Sequence, residues 1–123
     1  MKKTYLKIDF EHRETEKTNP NFFVIFLEKI LVKISNAANP DFDNQIHKTD
    51  NWLIEFDEFG IPEREIGLDK DGKTVMIMPW KDNYGYFTDN NFKLQDFKNG
   101  FTYSEIERDY FEQEWIQFNE NNL

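Results

Sequence analysis

Apolar and polar positions alternate with a period near two at several places along the chain, and this pattern predicts strands. From Tyr5 to Phe10, the residues Leu6, Ile8 and Phe10 fall on one side, with Tyr5, Lys7 and Asp9 on the other. Trp52, Ile54 and Phe56 alternate in the same way with Leu53, Glu55 and Asp57. Both segments read as half-buried strands. Two further strands are expected at Arg64–Leu68 and Thr74–Met78, joined through Lys70, Asp71, Gly72 and Lys73. Asp-Gly supplies the positive φ angles of a tight hairpin turn. Pro79 ends the second of these strands because it has no N–H for a ladder. Tyr84–Phe87 is a candidate fourth, edge strand, so Trp52 to Phe87 reads as an antiparallel meander.

The period changes to that of a helix in two places. After Asn19 and Pro20, a cap and first-turn pair, the residues Phe23, Val24, Leu27, Ile30, Leu31 and Ile34 share one broad face. Phe22, Ile25 and Val32 form a second stripe among Glu28, Lys29 and Lys33. That stripe is either covered by the chain's own domain or offered to a second copy or a partner. Later, Ser104, Glu105, Ile106 and Glu107 fit a capping box opening a last helix to about Phe118. Its apolar side would hold Tyr103, Ile106, Tyr110, Phe111, Trp115 and Phe118, with Glu105, Asp109, Glu112 and Glu120 opposite. The expected fold is a single α+β domain over residues 1–123, in the order β-α-β-β-β-(β)-α, with the meander packed against two helices.

Within the meander, Glu63 and Glu65 share one face of a strand and Arg64 takes the other. The glutamates are expected to be solvated. Arg64, if it faces inward, is expected to pair with Glu55 or Asp57 across the hairpin and to be structural. Asp69, Asp71 and Gly72 open like a calcium loop, but Lys73 and Trp80 occupy the fifth and twelfth positions where oxygen ligands belong. A hairpin turn is therefore expected, without metal.

Composition narrows the chemistry. Thirteen phenylalanines in a chain that is 17% aromatic predict an aromatic-rich core. The absence of cysteine removes disulfides, thiolate metal sites and cysteine nucleophiles. The two histidines, His12 and His47, have no spaced partner, so the common nucleophile–base and zinc arrangements lack their parts. No enzymatic activity and no cofactor are expected. There is no signal-peptide pattern and no long apolar run, so a cytoplasmic location away from membranes is expected. The net charge of −9 opposes binding to nucleic acid and favours basic protein partners.

Trp52-Leu-Ile-Glu-Phe-Asp57, Arg64-Glu-Ile-Gly67, Met78-Pro79 and Asn83-Tyr-Gly-Tyr86 resemble small immunity proteins of contact-dependent inhibition and related polymorphic toxin systems. The resemblance covers roughly residues 52–97. It implies a cytoplasmic protein that binds and blocks one cognate toxin domain, and it assigns no contact residue. Charge and residue type supply the candidates: Glu105, Asp109 and Glu112 on the last helix, and Asp57, Glu58, Asp69 and Asp71 at the meander turns. Trp80, Tyr84 and Tyr86 are the expected aromatic anchors, since interface hot spots favour tryptophan and tyrosine. The toxin would be a nuclease, whose substrate cleft must be basic. An alternative is an acidic homodimer, structural or ligand-binding, joined through Phe22, Ile25 and Val32. A third reading uses the same charge to imitate DNA.

Overall fold

Five strands pair into one antiparallel sheet: β1 (Thr4–Asp9), β2 (Asn51–Phe56), β3 (Pro62–Leu68), β4 (Thr74–Met78) and β5 (Thr102–Glu105). Their spatial order is β4-β3-β2-β1-β5. Among the described residues two α-helices accompany them, α1 (Leu94–Gly100) and α2 (Arg108–Asn121), with a 3-10 turn at Asp43–Lys48. This is a computed structural model, and it describes residues 2–9, 39–87 and 92–122. The helix expected at Phe22–Ile34, with Phe22, Ile25 and Val32, lies outside the described residues, as does His12. The fold is α+β, with the meander β2-β3-β4 packed against helices as its pattern predicts.

Of the two strands that read as half-buried, β1 keeps Lys7 and Asp9 partly exposed and β2 is covered on both faces. All six residues of β2 are buried. One sheet face carries Leu6, Ile8, Trp52, Ile54, Phe56, Met76 and Met78 beneath Phe42, Tyr86, Phe87, Phe97 and Phe101. The other carries Tyr5, Leu53, Ile66, Leu68 and Ile77 beneath Phe111, with Ile106, Trp115 and Phe118 at the margin. The first face therefore takes α1 and the loop segments, and the second takes α2. The core is aromatic, with tilted and edge-on ring pairs such as Trp52–Phe87 (centroids 4.9 Å apart) and Phe56–Phe97 (5.4 Å), the arrangement that ring quadrupoles prefer.

Three expectations change. The capping box at Ser104 does not open the last helix. Ser104 and Glu105 belong to β5, opposite Lys7 and Leu6 of β1, and α2 begins at Arg108 after an extended Glu107 (φ −79, ψ 145). Pairing with β1 engages the main chain of alternate residues of this segment, and that long-range demand overrides the local signal. Consequently Glu105 is not a helix residue, and Glu112 is not on a solvent stripe.

Tyr84–Phe87 is likewise no strand. It crosses the first sheet face, with its amides held by side chains. The N–H groups of Tyr84 and Gly85 donate to Asn39 Oδ1, both at 2.8 Å. Those of Tyr86 and Phe87 donate to Glu65 Oε1 at 2.9 and 3.0 Å. Glu65 is accordingly buried among apolar side chains, contrary to its solvated reading. A β3–β4 turn stands where Asp71-Gly72 predicted one, but only Gly72 takes positive φ (+82), so it is not the two-residue turn in which both do: Asp69 N–H donates to the Lys73 carbonyl at 2.9 Å, and Asp69 Oδ1 accepts from the Asp71 and Lys73 amides at 2.9 Å each.

Candidate partner-binding surface

The second sheet face is closed by a charged clamp. Arg64 Nε and Nη2 donate to the two oxygens of Glu55, each at 2.7 Å. Nη2 also donates to Glu112 of α2. The guanidinium lies 4.9 Å from the ring centroids of both Phe111 and Trp115. Tyr5 adds its hydroxyl to Glu55 at 2.8 Å. Burial alone would raise the Glu55 pKa, but the hydrogen bonds from Arg64 and Tyr5 outweigh it and hold the carboxyl below its usual range. The hydrogen bond to Glu55 leads the causes that raise the Arg64 pKa, so it stays charged. Burial, then Glu55, pushes the Tyr5 hydroxyl up to about 12. This cluster fastens α2 to the sheet. Arg64 is thus structural, with Glu55 as the expected partner.

The β2–β3 turn is built differently. Asp57 Oδ1 accepts from the amides of Phe59 (2.8 Å) and Ile61 (2.9 Å). Asp57 N–H donates to the Ile61 carbonyl at 2.9 Å, and Leu94 N–H of α1 donates to the Gly60 carbonyl at 2.8 Å. Gly60 sits at φ +81, and a Cβ there would lie 3.3 Å from Leu94 Cβ. The turn is therefore pinned by its own aspartate and by the start of α1. What it presents is apolar: Phe59 is 76% exposed and Ile61 45%. A turn whose main chain is already held loses little further backbone freedom on binding, which suits the residues it presents as anchors. Pattern reading pointed to Asp57 and Glu58 here and passed over Phe59 and Ile61, because no local signal separates an exposed phenylalanine from a core one.

The candidate contacts fall at different places. Successive turns of a meander lie at opposite sheet ends, so Asp57 and Glu58 are separated from Asp69 and Asp71. Asp57 and Asp69 are also occupied in capping their turns. Glu105 lies at the Asp57 end, because it pairs with Leu6, two residues from the Thr4–Phe56 pair. It is two strand spacings from β2, roughly 10 Å. Glu107 and Asp109 follow it, exposed, into α2. Glu112 turns to Arg64. Of the aromatic anchors, Tyr84 is 63% exposed, on a loop that Asn39 and Asn83 hold. Trp80 is half-buried, tilted against Phe42 and edge-on to Phe118, with its Nε1 donating to Asn119 at 3.0 Å. Tyr86 is fully buried, its hydroxyl on Asp43, and offers a partner no surface.

The β2–β3 turn presents Phe59 and Ile61 with Glu58 and Glu63 exposed beside them in sequence, and the strand register places Glu105 toward the same end of the sheet, with Glu107 and Asp109 following it exposed. Lys93 precedes Leu94, whose N–H meets the Gly60 carbonyl, and Arg108 lies between Glu107 and Asp109 in the chain. Lys3 is spoken for by Glu63 at 3.1 Å. A separate cleft of about 630 Å³ opens beside β4, lined by Phe42, Lys73, Thr74, Glu114, Phe118 and Asn121 among others. Among the described residues no group of three or more His, Asp or Glu side chains is placed to hold a metal ion. No described helix is long and apolar enough to cross a membrane. Compared with known proteins, the chain matches no family model, no curated protein and no solved structure.

Proposed function

We propose that this protein is a cytoplasmic immunity protein that binds a basic toxin domain, a nuclease, and blocks it without catalysis or cofactor. One observation carries the reading: a pinned turn presents Phe59 and Ile61 at an acidic end of the sheet, in a chain of net charge −9. Apolar anchors ringed by charge are how tight interfaces divide their work. The anchors slow dissociation, and the acidic field speeds encounter with a basic cleft and excludes its polyanionic substrate. The resemblance of residues 52–97 to immunity proteins points to the same class.

The test is direct binding of the full chain to the C-terminal domain of the toxin encoded beside it, with the Phe59→Asp variant and the triple variant Glu105→Lys, Glu107→Lys, Asp109→Lys. Phe59→Asp should raise the dissociation rate. The triple variant should lower the association rate and flatten its salt dependence. Unchanged kinetics in both variants would remove this surface from the function, and no binding by the native chain would remove the function. The cleft beside β4 favours one other reading, a small-ligand-binding domain. In that case a ligand screen should find a stabilising compound whose effect is lost in Thr74→Trp.

A further inference from the structure

The two edges of the sheet are treated unequally by the chain. β4 carries an irregularity opposite Gly67 and Leu68 and stops at Pro79. The C-terminal half of α2 lies beside it, with Glu114 near the Thr74 hydroxyl and Phe118 against Trp80. Bulges, prolines and covering helices are the usual protections of an edge strand. β5, the opposite edge, has an unbroken register with β1 and no proline, and Tyr103, Ser104 and Glu105 are exposed.

Which main-chain groups β5 turns outward follows from one hydrogen bond. Ile106 N–H donates to the Tyr5 carbonyl at 3.0 Å, continuing the Leu6–Glu105 register by one residue. In an antiparallel ladder hydrogen-bonded pairs recur at every second residue. Ser104 and Thr102 therefore turn their N–H and C=O toward Lys7 and Asp9 of β1. Tyr103 and Glu105 turn theirs away from the sheet. No hydrogen bond to another described residue engages those outward groups.

We propose that the outer edge of β5 accepts an extended cationic segment of a partner protein, paired main chain to main chain at Tyr103 and Glu105. Charge selects this occupant. Glu105 lies on the edge strand, 3.7 Å from Lys98, and Glu107 and Asp109 follow it exposed into α2, with Arg108 between them and Lys7 of β1 paired to Ser104 on the inner side of the strand. A second copy of this chain would set the same carboxylates against each other in molecules of charge −9. A segment bearing lysine or arginine at alternate positions meets the carboxylates with opposite charge while its main chain completes the ladder. The edge adjoins the acidic sheet end and shares Glu105, Glu107 and Asp109 with it. The proposal deepens the immunity reading and rests on it for the sign of the partner's charge.

The experiment uses the full chain, 15N-labelled, titrated with a seven-residue peptide of alternating valine and lysine. A second peptide of the same sequence is N-methylated at alternate residues, so that one edge has no N–H. Amide shifts centred on Tyr103 to Glu107 are expected, and binding should weaken about tenfold or more for the methylated peptide. The variant Tyr103→Pro, which removes the outward N–H along with the tyrosine ring, should weaken binding to a similar degree relative to Tyr103→Ala, which removes the ring alone, while circular dichroism of both stays native. Equal affinity of the two peptides, or shifts centred elsewhere, would overturn the edge and leave only general electrostatic attraction. A toxin domain that binds wild type and Tyr103→Pro equally would also overturn the edge while sustaining the immunity reading. Failure of any toxin domain to bind, with the peptide still pairing at β5, would overturn that reading alone.

Discussion

Substituting Arg64 by methionine isolates the clamp between sheet and helix. Glu55, whose side chain is 2% exposed, would lose both 2.7 Å bonds from the guanidinium. It would keep Tyr5 Oη at 2.8 Å and Lys3 Nζ at 3.9 Å. Breaking a buried pair by removing one member costs about 3–5 kcal/mol, because a charge remains in a poorly solvated place. Methionine can refill part of the space against Phe111 and Trp115, so loss of packing adds little. The total stability of a domain this size is roughly 5–15 kcal/mol, and the change should be plain in urea melts followed by tryptophan fluorescence. The double variant Arg64→Met, Glu55→Met removes the stranded charge. It should recover most of the loss, leaving about 1–2 kcal/mol from the Tyr5 hydroxyl without its acceptor. Glu112→Gln, at a group 30% exposed, should cost about 1 kcal/mol or less. A cost under about 1 kcal/mol for Arg64→Met, or a double variant no more stable than the single, would show that Arg64 does not hold a buried charge at Glu55.

The same cluster sets a pH dependence. The Glu55 pKa is lowered in the fold from an ordinary 4.5, so its stabilisation is complete above that value and is lost as pH falls through the folded pKa. Urea melts from neutral pH into that acid range should show Glu55→Gln losing less stability than wild type over the interval. Phe59→Ser should leave the melting midpoint almost unchanged, within about 0.5 kcal/mol, while weakening toxin binding by about 2 kcal/mol or more in calorimetry. Gly67→Ala places a Cβ 2.8 Å from Met76 Cγ and 3.2 Å from Thr49 Cγ2. In this packed interior it should cost about 1–3 kcal/mol by chemical denaturation.

The meander was legible because its determinants are local. Alternation from Trp52 to Phe56, the Asp71-Gly72 turn and the stop at Pro79 each act within a few residues, through side-chain direction and allowed φ. The apolar side of α2 was legible for the same reason at Phe111, Trp115 and Phe118, although its start was not. Ser104–Glu107 carries a helix-start signal, and only the open side of β1, more than ninety residues earlier, draws Ser104 and Glu105 into a strand. The exposed edge that follows could not be read from the chain. Glu65 looked solvated because charge normally is. It is buried because two amides, at Tyr86 and Phe87, need an acceptor where the chain crosses the sheet without a strand partner. Arg64 and Glu55 could be paired by register, but Glu112 enters only when α2 lies across them. Phe59 and Tyr86 show the limit most simply: their types gave no reason to put one in water and the other in the core. Local preference decides which conformations a segment can take. Hydrogen-bond satisfaction and burial across the whole chain decide which one it keeps, and which side chains are left at the surface.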